Sequence, residues 1–359
     1  MKKVILFIIG TITHFVINAQ DFTFSQFYEI PLLRNPALAG ISNTDIRIQS
    51  AYRSQWRSIT VPYQTQALSA EVRIPIGERV DDFLTTGVQI TNDLAGTSKL
   101  GRLQMLPVLT FHKSLSGSEE SYNYLSFSVM GGLIQSQFDP TKMTFDDQFQ
   151  NGSFNPDNTT QQVFSKTSLS YGDLSTGLAY SNTTLNDTKY YIGAACYHLL
   201  KSKVSFYDVN NVILNKRYVF NVGIDLPSSL TVNDRVIIYG DYINQAGNRQ
   251  FLAGLLYRHD LGIGQIDYDN ELENFNFSIG GAFRWADAFI PIVRLDLKNF
   301  FIGTSYDVNI SKLKSASQFR GGFEITAGYR NDLSVILGDA FGRNRGSRNS
   351  TKCPGGNLK

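Results

Sequence analysis

The chain has 359 residues with 33 basic and 31 acidic side chains, and its net charge of +2 makes no electrostatic case for nucleic acid or acidic lipid as a partner. Charged residues are 18%, below the roughly 25% of soluble domains, while aromatics reach 13%. A mean hydropathy of −0.16 excludes a bundle of lipid-facing helices and suits a sheet whose residues alternate between two environments.

At the N-terminus, Lys2 and Lys3 precede an apolar stretch from Val4 to Val16, and Ile17-Asn18-Ala19 forms a small-residue cleavage site. The stretch is shorter than the ~20 residues of a membrane-spanning helix. Residues 1–19 therefore read as a cleaved signal peptide, with Gln20 as the first mature residue. No Cys follows the cleavage site, which argues against a lipoprotein.

Residues 20–44 form an aromatic leader that does not alternate cleanly and contains Pro31 and Pro36. Its Phe22, Phe24, Phe27, Tyr28, Leu32, Leu33 and Leu38 are groups in which disordered leaders are poor. It is expected to be a periplasmic leader that packs, from that side, on or in the domain that follows, with Phe24, Phe27, Tyr28, Asn35 and Pro36 as packing residues.

From 45 to 337 the pattern is one of segments that alternate apolar and polar, separated by turn residues. In the clearest, Phe275, Phe277, Ile279, Gly281, Phe283 and Trp285 oppose Asn276, Ser278, Gly280, Ala282 and Arg284. Residues two apart share one face of a strand, so one face is greasy and the other polar. Phe323, Ile325 and Ala327 oppose Glu324 and Thr326 in the same way, and Ile46, Ile48, Tyr52 and Trp56 oppose Arg47, Gln49, Arg53 and Arg57. Further matches run 103–111, 174–180, 251–257 and 300–308. Weaker ones run 62–75, 85–94, 122–136, 188–200, 215–226, 231–243 and 288–297, for about fourteen strands in all.

A soluble sandwich also alternates, with its apolar face inward. Three features favour an all-β transmembrane antiparallel barrel of the outer-membrane type. The strands approach or exceed the 9–11 residues that cross the hydrocarbon at a tilt. Aromatics sit near the ends of apolar faces, as at Phe275/Trp285 and Phe319/Tyr329. Arg and Glu lie mid-strand on the polar face, where a dry sandwich core would not hold them unpaired. The longest connection, about Asp139 to Lys166, joins the fifth and sixth strands and is expected on the outer side, where barrel loops are longer. Residues 338–359 form a basic C-terminal tail.

The sequence is poor in catalytic signals. His112, His198 and His259 lie in or at the end of strands with no metal-type spacing, and read as solvated strand-end or lumen residues. Asp146-Asp147, with Asp139 nearby, reads as a solvated acidic loop and not a calcium site. No nucleophile elbow or phosphate loop occurs, so neither a cofactor nor enzymatic activity is expected. Cys196 and Cys353 are far apart in sequence, which leaves their pairing open.

FSQFY at 24–28, NPALAG at 35–40 and YRSQW at 52–56 resemble the opening of the PorP/SprF family, outer-membrane proteins of the type IX secretion system in Bacteroidota. The likeness continues at Phe138-Asp139-Pro140, at Thr144 to Gln148, at Tyr171 to Gly177 and at Cys353-Pro354. The chain departs from the family pattern in the extra residues Gly355 to Lys359. The resemblance implies a non-enzymatic barrel of the secretion and gliding-motility machinery that helps secrete or anchor a large surface adhesin with a type B C-terminal domain. It also implies contact with periplasmic type IX secretion and motility components. Under that reading Phe145, Phe149 and Phe154 of the outer loop are candidates for cargo contact, with a cover over the barrel mouth as the alternative. The rival functions are a porin or hydrophobic-solute transporter, and a lipid-modifying enzyme.

Overall fold

The computed structural model describes residues 21–332 except 43, 58–60, 77–81, 116–121, 151, 156, 209–211, 229–232, 262–274 and 313–316. The signal segment, the basic tail and Cys353 lie outside the described residues. Fourteen antiparallel strands close into one barrel. In chain order they are β1 (Ile46–Gln55), β2 (Tyr63–Pro75), β3 (Phe83–Ala95), β4 (Leu100–Ser114), β5 (Tyr122–Gln137), β8 (Ser168–Thr183) and β9 (Lys189–Tyr197). There follow β10 (Arg217–Pro227), β11 (Arg235–Gln245), β12 (Asn248–Asp260), β13 (Phe275–Arg284), β14 (Ala288–Leu297), β15 (Phe300–Asn309) and β16 (Arg320–Asn331). Two-residue strands β6 (Phe149–Gln150) and β7 (Ser153–Phe154) form a separate hairpin in the long connection after β5. Each barrel strand pairs with its sequence neighbour, and β1 closes the barrel on β16 in the register Ile46↔Asn331 to Gln55↔Gly322.

Burial is inverted relative to a soluble protein. Ile48, Phe323, Ile279 and Leu109 are exposed, while their neighbours Arg47, Glu324, Ser278 and Thr110 are buried. This is the arrangement of a barrel set in lipid, with apolar side chains outward and polar ones toward the lumen. Strands of 9 to 16 residues are long enough to cross the hydrocarbon at a tilt. The two rims differ. β1 begins and β16 ends at one, here the terminal rim. Connections 138–167 and 198–216 stand at the other, the loop rim, with the exposed Trp56 and Trp285.

The facing read from alternation holds in β13 and β16, and it stops short in β1. That strand ends at Gln55, Trp56 turns away at a positive φ of 60°, and Arg57 is exposed on the connection instead of facing the lumen. Strands β5 and β14 alternate weakly in sequence because parts of both their faces are apolar. On β14, Ile290 and Ile292 face in while Phe289 and Val293 face out. The inward apolar residues meet the leader.

Candidate functional site

The leader lies inside the barrel. Its polypeptide enters at the terminal rim, where Gly40 N donates to Glu71 (3.3 Å) and Leu38 O accepts from Arg47 (3.4 Å). It ends at the loop rim, where the Asp21 carboxylate meets Arg102 at 2.5 Å and His198 at 2.6 Å, and Asp21 N donates to Gln245 at 3.0 Å. The leader thus runs the length of the lumen.

Short helical turns make it compact enough to fit. Pro31 and Pro36 occupy the first positions of turns Pro31–Arg34 and Pro36–Leu38, where a missing N–H costs nothing. Asn35 caps the second turn, its Oδ1 accepting from Ala37 N at 2.9 Å. Its Nδ2 donates to Leu178 O and Ala194 O on the wall at 3.1 and 3.3 Å. Only glycine permits this approach, because a Cβ at Gly177 or Gly193 would collide with the Asn35 amide. Pro36 is buried, and its carbonyl accepts from Thr110 Oγ1 at 3.1 Å.

The leader's apolar groups pack against the inward apolar residues of the wall. Phe24 and Ile30 pack with Ala51 and Ala67. Phe27 meets Tyr239 edge-on at 5.0 Å, within a cluster that includes Leu252, Leu256, Ile290 and Ile292. Tyr28 is half-buried beside the same Tyr239 ring, and Leu32 packs with Leu106, Val108, Met130 and Ile134. Burying one such side chain contributes about 1.5–3 kcal/mol relative to leaving it in water.

Charged groups fix the register. Arg34 makes a two-pronged contact with Asp241, at 2.8 Å from Nε and 2.6 Å from NH2, and donates to Tyr191 Oη at 2.7 Å. Both oxygens of Glu324 accept leader backbone N–H groups, Ser25 N and Gln26 N, each at 2.6 Å. Asp307 takes Arg53 at 2.6 Å, Arg284 at 3.1 Å and Ser25 Oγ at 2.5 Å. Glu29 pairs with Arg294, which also holds Asp296. Paired charges and multidentate carboxylates are what a dry interior requires. At the loop rim, burial opposes charge on His198, but the bonds to Asp173 and Asp21 prevail and push it up to about 9. Asp21 is held well below the usual carboxylate range, because Arg102 and His198 outweigh its burial.

The structure places Phe24, Phe27, Tyr28, Asn35 and Pro36 inside the barrel, each against wall residues. Sequence reasoning missed Ser25, Gln26, Glu29 and Arg34 as anchors. The signal for two of them was present, since Glu29 and Arg34 are charges inside an otherwise apolar segment. His112 and His198 are buried and not solvated: His112 lies between Thr85 Oγ1 (3.1 Å) and Ser126 Oγ (2.7 Å). The leader and the wall side chains that fill the lumen, absent from a one-strand reading, account for the difference, and His198 is held there between Asp173 and Asp21. His259 stands at the terminal rim against Asp234 at 2.9 Å. Cys196 lies on β9 beside the inward Ala195 and Tyr197 and shares the outward face with the exposed Ile192.

The phenylalanines of connection 138–167 separate. Phe149 and Phe154 face one another at 5.7 Å across the β6–β7 hairpin and are 54% and 42% exposed. Phe145 is half-buried and packs toward Phe164 at 6.2 Å. Phe164 in turn contacts Phe138 (4.8 Å) and Tyr207 (5.4 Å), and Phe138 contacts Phe206 (4.8 Å), which ties connections 138–167 and 198–216 together. Asp139 caps Thr141, and Asp147 accepts from Thr160 and Gln161, so these acids hold loop turns. Among the described residues no cluster of His, Cys, Asp and Glu is arranged to hold a metal.

Solved structures with a similar course include BamA from Haemophilus ducreyi lacking POTRA domains 1–3, at 10% identity over 80% of this chain and 70% of that one, with a TM-score of 0.38. They also include the CymD monoaromatic hydrocarbon channel, at 11% identity over 88% of this chain and 95% of that one, with a TM-score of 0.39. At these scores the likenesses carry no functional argument. No curated protein sequence matches significantly. The family described as type IX secretion system membrane protein PorP/SprF matches residues 16–329, nearly the whole chain. The chain belongs to the PorP/SprF family of type IX secretion membrane proteins, and its barrel is an outer-membrane one.

Proposed function

We propose that this protein is a non-enzymatic holder, a barrel closed by its own leader that helps secrete or anchor a large surface adhesin with a type B C-terminal domain. The observation that carries the reading is the filled lumen. A porin or solute transporter keeps a water channel where this chain keeps Phe27, Leu32, Arg34 and Asn35. Longer connections belong outside, so the loop rim is the cell-surface side and the terminal rim is the periplasmic side, available to secretion and motility components. Cargo then meets the loop rim, and the exposed Phe149–Phe154 pair supports a contact there, because interface cores favour aromatics that solvent does not. Phe145 braces the loop on which the pair stands.

The experiment replaces Phe149 and Phe154 together with Ser and reads barrel level in the outer membrane and adhesin at the cell surface. Loss of surface adhesin with an intact barrel is expected. Undiminished display with an intact barrel removes the hairpin as a cargo contact. Planar-bilayer recordings address the rival: steady ion conductance by the purified wild-type barrel would restore the channel reading.

A further inference from the structure

The lumen is not filled uniformly. Beside the leader, toward the terminal rim, a cavity of about 170 Å³ remains, several times the ~30 Å³ that one water takes in the liquid. Four guanidinium groups line it, those of Arg47, Arg258, Arg294 and Arg330, against two carboxylates, Glu29 and Asp296. Both carboxylates are already engaged: Asp296 accepts from Arg294 at 2.5 Å and Arg330 at 2.6 Å, and Glu29 pairs with Arg294. Arg47 is held by Glu71 and Arg258 by Asp225 at 3.6 Å, and neither acid is part of the lining. The Tyr28 hydroxyl, supplied by the leader, also lines the cavity. It is buried and has no hydrogen-bond partner among the described residues. Within the lining itself, donors and positive charge exceed acceptors, the other two carboxylates standing behind Arg47 and Arg258. Such a lining disfavours cations and offers an oxyanion N–H donors and the Tyr28 hydroxyl, although each arginine already has a carboxylate partner.

We propose that this cavity is a binding site for an oxyanion, a carboxylate or a phosphate, offered from the terminal-rim side. The inference goes beyond cargo holding and stands whether or not that reading does, because it rests on the lining alone. Arg258 is the residue best placed to bind, since its ion pair with Asp225, the one it makes among the described residues, is long and partly exposed. Arg330 follows, with one side-chain bond among the described residues, to Asp296, and its guanidinium over the Phe301 ring. Tyr28 adds a neutral donor. Because Tyr28 and Glu29 belong to the leader, the site exists only while the leader is docked.

The test uses the full-length barrel folded in detergent, titrated by calorimetry with inorganic phosphate and, separately, with the blocked peptide acetyl-Asp-Asp-Asp-amide at constant ionic strength. Saturable binding of either is expected, with a dissociation constant at or below about 1 mM. A preference for phosphate assigns the site to a free anion. A preference for the peptide, displaced by phosphate, assigns it to an acidic segment of a periplasmic protein. Arg258→Gln and Arg330→Gln should each weaken binding about tenfold, the loss of one charge-assisted contact. Lys142→Gln, at the opposite rim, should change nothing. Should the arginine variants fail to fold, Tyr28→Phe removes only a hydroxyl and should weaken binding a few-fold in a barrel of unchanged heat-modifiable migration. No saturation by either probe up to about 10 mM, or binding unaffected by all three lining variants, overturns the site.

Discussion

The leader and connection 138–167 at the loop rim are made of similar material, and the barrel uses them in opposite ways. Both are aromatic segments of irregular backbone with short turns and charged groups. In the leader every anchor meets the wall: Arg34 is paired with Asp241 at 5% and 2% side-chain exposure. In the loop, aromatic rings mostly meet one another, and Lys166 pairs with Asp208 at 54% and 63% exposure. The difference lies in water. An ion pair in solvent contributes little, whereas breaking a dry one strands an uncompensated charge. The leader's anchors therefore hold the fold, while the loop leaves the Phe149–Phe154 pair exposed.

The sharpest way to break the contrast is Arg34→Ala, which leaves Asp241 buried and unpaired and should cost about 3–5 kcal/mol. Urea midpoints of the purified barrel, with proteolysis of the leader as a second readout, measure it; a loss under 1 kcal/mol would make this pair no different from a surface one. Next, Phe323→Arg puts a charge on the lipid face and should cost about 2–4 kcal/mol, read as loss of heat-modifiable barrel in the membrane. Gly177→Ala then tests the docking of Asn35 from the wall side. A methyl group there should cost about 1–3 kcal/mol by overpacking and expose the leader to protease while the barrel still forms.

A smaller effect follows from pH at the leader's N-terminal anchor. His198 is raised from 6.5 to about 9, so its contribution is complete below its ordinary value and fades as pH rises through about 9. Asp21 is lowered, so its contribution persists above its ordinary 3.8 and fades only in strong acid. Hydrogen exchange around Asp21 should be slower near about pH 6 than near about pH 10 once intrinsic rates are removed, and His198→Gln should flatten the profile. Equal protection at both pH values in the wild type would remove His198 from the anchor. Smallest of all, Lys166→Gln in the loop should change stability by less than about 1 kcal/mol. A larger loss would show that the loop carries weight in the fold.

Much of the barrel was legible from the chain alone, for a physical reason. A wall one strand thick with lipid on one side imposes a period of two wherever the other side is polar, as in Phe275–Arg284 and Arg320–Asn331. The same reasoning led to the expectation that so aromatic a leader packs on or in the barrel. It could not say where Phe27 or Arg34 would go, because Tyr239 and Asp241 lie more than two hundred residues away and only closure of the barrel brings them near. Strands β5 and β14 looked weak for the same cause: parts of their inward faces, Met130 and Ile134 on one and Ile290 and Ile292 on the other, are apolar where they meet the leader, so alternation faded where the packing partner was remote in sequence. The split among Phe145, Phe149 and Phe154 was equally illegible, since it depends on Phe164 and on the neighbouring connection that carries Phe206 and Tyr207. Sequence by itself determined the local periodicity, hence strands, facing and membrane setting. Which charges found partners, which cavity was left over and which aromatics stayed exposed were decided by tertiary structure, because each depends on groups that only the closed barrel assembles.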